Sequence, residues 1–215
     1  MVLPDFKYEK SLWKKGYRVV AGCDEVGRGC FAGPVVSSCV VFQKDLIIPS
    51  DILINDSKKL KPNQREKASI WIKKNCLTWG IGEASVSVIN KLGIVPSTYM
   101  AFRKAIISAN KKINSPIDYL LIDAFYLPYI KGLKRKNQMP LIKGDAKSIS
   151  IAASSIIAKV HRDKIMLTLS KNPKYQNYGW GRNKGYGTRE HQNAIKEFGT
   201  TNLHRSLFVE TFLSK

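Results

Sequence analysis

The chain reads as an α/β domain, a mixed β-sheet flanked by helices, with a small helical region at its C-terminus. Three observations carry this reading. Two β-branched, apolar runs, 17–23 and 35–42, lie close together, with Gly33-Pro34 ahead of the second. Segments of helical periodicity then alternate with short apolar runs. The stretch from 171 onward is polar, with Gly179, Gly181, Gly185 and Gly187 in a loop-like span ahead of two helical patterns. A chain of 215 residues, 44% of them hydrophobic, has enough apolar material for one core. We expect 1–170 as the main unit and 171–215 as an extension continuous with it.

The elements follow in order. The strand at 17–23 is rich in valine and runs into Asp24-Glu25, and 35–42 is its neighbour. Residues 55–62 are a polar loop, and Pro62 opens a helix to about Asn75, with Ile70, Trp71 and Leu77 as apolar contacts. Residues 78–88 alternate and predict a strand through Trp79, Ile81, Ala84, Val86 and Val88. Pro96 begins a helix to Lys111, with Met100, Phe102, Ala105, Ile106 and Ala109 at helical spacing. Residues 118–123 are a short buried strand ending on an acid, and 141–145 repeat that form. A long helix spans 148–169. Its small residues Ala152, Ala153, Ser154 and Ala158 let it lie close to a sheet. Residues 188–198 form a helix capped by Thr188, and 205–213 a last helix.

Composition narrows the function. There are 36 Lys and Arg against 16 Asp and Glu, a net charge of +20. So strong a field favours a polyanionic partner, nucleic acid before an acidic membrane, since no basic amphipathic helix stands out. No run of 18 apolar residues exists, so no membrane span is expected. The N-terminus lacks a basic stretch followed by an apolar one, so no secretory leader is expected either. Cys23, Cys30, Cys39 and Cys76 show no Cys-x-x-Cys spacing. Reduced thiols in a cytoplasmic protein are the expectation, with Cys23 a small buried strand residue.

Chemistry concentrates where acids end apolar runs: Asp24-Glu25, Asp123 and Asp145. Strand ends meet at ligand sites in layered α/β folds. Converging carboxylates repel unless cations separate them, and oxygen-only ligands select Mg²⁺ or Mn²⁺. Two such ions suit phosphodiester hydrolysis. Taken singly, Asp123 is equally suited to cap the next turn and Asp145 to cap the helix near 148. Asp163 and Glu66 read as solvated helix charges. The adjacent pair Asp24-Glu25, followed at once by Gly27-Arg28-Gly29, resists such readings, because glycine lets backbone approach a phosphate closely.

Polar segments around these acids suit a nucleic acid. Ser57 precedes Lys58 and Lys59, and 131–164 carries nine Lys and Arg with two Asp. Lys143 belongs to that stretch. Lys184-Gly185-Tyr186-Gly187 presents an aromatic ring between glycines, available for stacking. Tyr186 folded back on the core is the plainer alternative. His191 and His204 are both candidates for phosphate contact, with an ordinary half-buried role favoured for His191.

These stretches together resemble bacterial ribonuclease HII, the type 2 ribonuclease H family. The likeness runs from about Tyr17 to Phe208. In order it comprises Gly22-Cys23-Asp24-Glu25-Val26-Gly27-Arg28-Gly29 with Ala32-Gly33-Pro34-Val35, then Asn55-Asp56-Ser57-Lys58-Lys59-Leu60, and then the strand ending at Asp123. Lys143-Gly144-Asp145 follows, with Ile151-Ala152-Ala153-Ser154-Ser155-Ile156-Ile157-Ala158-Lys159-Val160-His161-Arg162-Asp163 after it. Asn183-Lys184-Gly185-Tyr186-Gly187-Thr188 and His204-Arg205 complete the set.

The resemblance implies a ribonuclease H-like fold, with a catalytic core at 1–170 and a substrate-binding helical region at 171–215. It implies hydrolysis of RNA in RNA–DNA hybrids and incision 5′ of single ribonucleotides in duplex DNA, with two Mg²⁺ or Mn²⁺ ions. Asp24, Glu25, Asp123 and Asp145 would be the metal-binding catalytic acids. Gly27, Arg28 and Gly29 would read the ribose 2′-OH, and Tyr186 would pack on the neighbouring sugar. Ser57, Lys58, Lys59, Lys143, Lys184, His204 and Arg205 are the further substrate contacts expected. Only about 16 residues precede the first strand, too few for the extra N-terminal domain of the related type HIII enzymes, so HII is the expectation. A monomer is expected, and contact with a replication clamp or polymerase stays open. The family strand often has Gly after its acid, where this chain has Ala124. A nuclease of the same fold acting on DNA junctions, and a non-catalytic RNA-binding module, remain the alternatives.

Overall fold

A computed structural model describes residues 3–214. The strands are β1 (Val20–Val26), β2 (Val35–Val41), β3 (Thr78–Ala84), β4 (Tyr119–Asp123) and β5 (Gln138–Leu141). They form one sheet in the order β3-β2-β1-β4-β5. β1 pairs antiparallel with β2, and β2 with β3; β1–β4 and β4–β5 are parallel. The sheet is therefore mixed, as the sequence predicts. The parallel central pair matters most for the site. Cys23 lies opposite Ile122, so the next residues, Asp24 and Asp123, emerge side by side.

The helices are α1 (Lys7–Lys14), α2 (Pro62–Asn75), α3 (Val86–Leu92), α4 (Ile94–Asn110), α5 (Ile149–Ser170), α6 (Trp180–Asn183), α7 (Arg189–Phe198) and α8 (Ser206–Leu213). α4 packs Phe102, Ala105, Ile106 and Ala109 onto one face of the sheet, against Ala21, Cys23, Cys39 and Ile122. α5 and α2 cover the other face through Ala152, Ala153, Ile156 and Ile157 with Ile72. The start of α5 lies so close to β1 that a Cβ on Gly22 would sit 2.2 Å from the Ser150 carbonyl carbon. Small residues on α5 and glycine on β1 are thus one packing solution, and Ser154 uses it. Its hydroxyl donates to the Ser38 carbonyl (2.7 Å) and accepts from the Asp24 amide (2.9 Å).

Several boundaries differ from expectation for local reasons. Residues 85–88 are not strand. The Ser85 hydroxyl caps α3 by accepting from the Val88 amide, and Val86 and Ile89 face inward at helical spacing. The strand expected from Tyr17 begins at Val20, because the Asp118 carboxylate takes the Arg18 and Val19 amides at 2.8 and 3.1 Å. Asp145 does not end a strand. β5 stops at Leu141, Lys143 turns left-handed (φ +56°), and Asp145 lies in a short 3₁₀ turn, Gly144–Ala146. The cap of α5 is Ser148. Of the apolar contacts expected for α2, Ile70 and Leu77 are exposed, Trp71 packs partly buried against the core, and Ile72 is fully buried. The 171–187 span is not all loop: it holds a 3₁₀ helix, Pro173–Tyr178, and α6. α4 starts two residues before Pro96, straight after Gly93.

The C-terminal segment makes a small core of its own, Tyr175, Tyr178, Trp180, Ala194, Ile195 and Val209, joined to the main body by Met166 and Ala32. At the rims of the sheet, Lys112 and Lys104 donate to the outward carbonyls of Trp79 and Glu83 on β3 (2.8 and 3.0 Å), and β5 carries Pro140. Among the described residues no helix is long and apolar enough to cross a membrane.

Candidate active site

At the carboxyl ends of β1 and β4 opens a cleft of about 600 Å³. Asp24, Glu25, Asp123 and Asp145 all line it, together with Gly27, Arg28, Gly29, Ser57, Lys58 and Tyr186. The sequence-predicted acids and the glycine-arginine turn thus share one concave surface. Asp24 and Asp145 are 6% and 8% exposed, too little for either to be an ordinary solvated charge.

The electrostatics are those of crowded anions. Burial pushes the Asp24 carboxyl well above the usual range, and the nearby Glu25 and Asp123 charges add to this. Glu25 is raised by burial and by Asp123, against the pull of Arg28, whose guanidinium lies 3.4 Å away. Glu25 Oε2 is buried with no hydrogen-bond partner. Asp145 is raised by burial and then by the nearby Asp56 and Asp123 charges. Asp123 is anchored differently: its Oδ1 accepts from the Gly144 amide at 2.7 Å, tying β4 to the Asp145 turn. Among the described residues no three acids are gathered tightly enough to hold a common cation, as mutual repulsion dictates.

The glycine-arginine turn has its own logic. Gly27 has φ +93°, a conformation side chains disfavour, and a Cβ there would meet Arg162 Nε at 2.2 Å. Gly29 is exposed, and a Cβ on it would meet nothing within 4 Å. Packing within the protein therefore does not demand glycine at 29. The Arg28 guanidinium, part exposed, sits 5.4 Å over the Phe125 ring. Tyr186 is half-buried, with Lys159 and Arg162 5.5 and 5.7 Å over its ring. Its hydroxyl lies beside the buried Cys30 thiol, and burial raises its pKa to about 12.

The other expected contacts divide. Lys58 lines the cleft, and Ser57 does so while its buried hydroxyl bonds Ser155 at 2.9 Å. Lys59 and Lys143 are exposed outside the cleft lining. Lys184 borders a neighbouring groove with Pro62, Glu66 and Asp163. His204 and Arg205 are 3% and 0% exposed, so both face protein.

His204 joins His191 in a closed hydrogen-bond chain. The His191 Nδ1–H donates to the Tyr186 carbonyl (2.9 Å), leaving the single Nε2 lone pair to be shared between the N–H groups of Trp180 Nε1 (3.0 Å) and His204 Nε2 (3.1 Å). His204 Nδ1 accepts from the Thr201 amide at 2.8 Å. This assignment is complete only with both rings neutral. Burial, with His191 alongside, lowers the His204 pKa to about 4.

Sequence reasoning left out Ser155, Lys159, Arg65 and Asp56. The first three line the cleft, and Asp56 reaches Asp145. Ser155 and Lys159 stand four apart on α5, so the helical spacing was a signal that they share a face. Lys159 reaches Asp163 at 2.8 Å, with Arg65 on the far side at 4.0 Å, so Asp163 is an ion-pair partner rather than a solvated charge.

Comparison with known proteins identifies the family and the fold. A family model described as Ribonuclease HII matches residues 21–211. A ribonuclease HII of Caldanaerobacter subterraneus subsp. tengcongensis is 45% identical over 206 residues, which are 96% of this chain and 80% of that one. The crystal structure of ribonuclease H2 from Pyrococcus horikoshii OT3 has a TM-score of 0.66 at 24% identity, covering 92% of this chain and 100% of that one. Bst-RNase HIII in complex with Mn²⁺ has a TM-score of 0.68 at 19% identity, covering 92% and 70%. At those identities the two structures speak to the fold alone. The family model and the 45% relative, each spanning most of the chain, carry the assignment: this chain belongs to the ribonuclease HII family, nucleases that hydrolyse RNA in RNA–DNA hybrids.

Proposed function

We propose that the cleft is a two-cation phosphodiesterase centre that incises 5′ of a ribonucleotide, in hybrids and at single sites within duplex DNA, leaving 3′-OH and 5′-phosphate ends. The observation that carries this is the meeting of four acids and the Gly27-Arg28-Gly29 turn in one cleft. The residues fit divalent cations by their chemistry. Their donors are all carboxylate oxygens, Asp24's ionisation is opposed by burial, Glu25 and Asp123, Glu25's by burial and Asp123, and Glu25 Oε2 is buried unpartnered. The fold neighbour Bst-RNase HIII has been solved with Mn²⁺. Asp24, Glu25, Asp123 and Asp145 would hold Mg²⁺ or Mn²⁺, with Asp24 central; when bound, the ions would supply an activated water and stabilise the departing 3′-oxygen.

The chain's own groups do the rest. Gly29 leaves open space at an exposed turn, which lets backbone reach a ribose 2′-OH, the group that separates RNA from DNA. Tyr186 offers a ring face for the adjoining sugar. Lys58 and Lys159 line the cleft where a phosphate backbone would cross it, and the net charge of +20 draws the polyanion in.

The test uses a labelled duplex with one ribonucleotide beside an all-DNA duplex, each with Mg²⁺, Mn²⁺ or EDTA. Metal-dependent cutting only 5′ of the ribonucleotide supports the reading. Cutting of both duplexes sinks the ribose assignment, and cutting in EDTA sinks the cation assignment. A melting scan with and without Mn²⁺ supplies a readout independent of turnover.

A further inference from the structure

Beneath the glycine-arginine turn lie two guanidinium groups that no carboxylate accompanies. Arg162 and Arg205 are both fully buried, and among the described residues neither forms an ion pair. Burying an unpaired charge is costly unless hydrogen bonds replace its water. Backbone carbonyls do so here. Arg162 donates to Pro34 (2.9 Å), Ala32 (3.0 Å) and Lys184 (2.8 Å). Arg205 donates to Arg28 (2.8 Å) and twice to Gly33 (2.8 and 3.1 Å). Every acceptor lies on the 28–34 turn or beside Tyr186.

The same turn is zipped along both margins. Phe31 and Ala32 amides donate to the Gly185 carbonyl (2.9 and 3.1 Å), and Cys30 bridges Tyr186. On the other margin the Arg205 amide donates to Phe31 and the Gly33 amide to Leu203. The planar fork of arginine satisfies several carbonyls at fixed angles, which lysine cannot do.

We infer that Arg162 and Arg205 are positioning residues for ribose selectivity, holding the Gly27-Arg28-Gly29 backbone and the Tyr186 ring as one rigid gauge. This rests on the reading that turn and ring meet the ribose. It reassigns Arg205 from a substrate contact to a residue that acts through Arg28 and Gly33. Neither Arg162 nor Arg205 bonds to any of the four acids, so cation binding is expected to survive loss of the clamp.

The experiment measures kcat/KM for Arg205→Lys on three labelled duplexes whose single variable sugar is ribose, 2′-fluororibose or deoxyribose. Fluorine fills the 2′ position without donating a hydrogen bond. The ratio of ribose to 2′-fluoro is unaffected by the fraction of folded enzyme, so mere destabilisation leaves it unmoved. A misplaced gauge should lower that ratio by about tenfold or more, with Mn²⁺ affinity by titration unchanged. An unchanged ratio, or a loss of Mn²⁺ affinity of similar size, overturns the inference. If Arg205→Lys does not fold, Gly185→Ala decides by the same ratio. Its Cβ would meet the Ala32 carbonyl oxygen at 2.5 Å and wedge the two margins apart without touching an acid. A wild-type ratio near one would instead refute the ribose reading itself, and the inference with it.

Discussion

At the carboxyl ends of β1 and β4 the molecule crowds acids together and leaves one buried carboxylate oxygen, Glu25 Oε2, without a partner. Under the adjoining turn it buries two arginines whose every guanidinium nitrogen meets a backbone carbonyl. Asp24 is crowded by Glu25 and Asp123, and Glu25 keeps an orphaned oxygen. Arg162 and Arg205 spend their donors on five carbonyls, those of Arg28, Ala32, Gly33, Pro34 and Lys184. The His191–His204 pair behind them is equally complete. Satisfied buried charge rigidifies, whereas unsatisfied buried charge is a binding capacity held in reserve. The contrast separates what shapes the substrate's path from what performs chemistry on it.

Removing one acid should break the comparison most sharply. Asp24→Asn should lower hydrolysis by roughly 10³-fold or more, since several kcal/mol of charge stabilisation goes with it. Its melting temperature in EDTA should equal or exceed that of the wild type, because a repulsive charge has gone. A variant that melts well below wild type would mean Asp24 is structural.

The two regions should also answer acid with opposite signs. His204 has a folded pKa of about 4 against an ordinary 6.5, so the unfolded chain binds the proton first. Its contribution is complete above pH 6.5 and is lost as pH falls toward 4, on the order of 3 kcal/mol. Asp24, Glu25 and Asp145 are raised, so the folded chain binds their protons first. Their burden on stability eases as pH falls through the folded values toward the unfolded ones. Urea unfolding of wild type and His204→Gln across pH 4–7 checks this. The wild-type curve should fall more steeply below pH 6.5.

Divalent cations sharpen the contrast next. At about a hundred times the dissociation constant, Mn²⁺ should add roughly 2.7 kcal/mol to wild-type stability by mass action. Asp24→Asn should lose most of that gain, and Arg205→Lys should keep it. The smallest effect lies between the regions, at Ala124. It adopts φ +65°, a conformation an L side chain disfavours. Ala124→Gly should stabilise the fold by up to about 1 kcal/mol in urea, with kcat unchanged.

Much of this site was legible because its signals are local. Asp24-Glu25 closing a valine run, glycines on either side of Arg28, and a small-residue helix at 148–169 each imply a position in the fold. The parallel pairing of β1 with β4 then brings Asp123 in. What stayed hidden is tertiary. Arg205 reads as a substrate contact and Arg162 only as part of a motif, since nothing nearby in the chain announces the carbonyls they meet more than a hundred residues away. Asp145 lies in a 3₁₀ turn because Lys143 turns left-handed, which an apolar-run pattern does not reveal. Ser85 redirected the expected strand at 85–88 into a helix by a single cap.

The rims of the sheet carry a last consequence. Lys104 and Lys112 occupy outward carbonyls of β3, and Pro140 lacks an amide to offer from β5. A bare edge invites a second chain to add a strand, the first step toward aggregates. Here both margins are blunted before any partner arrives. The folded sheet therefore has few free edge groups with which to template another copy, so the native molecule should resist strand addition at either rim.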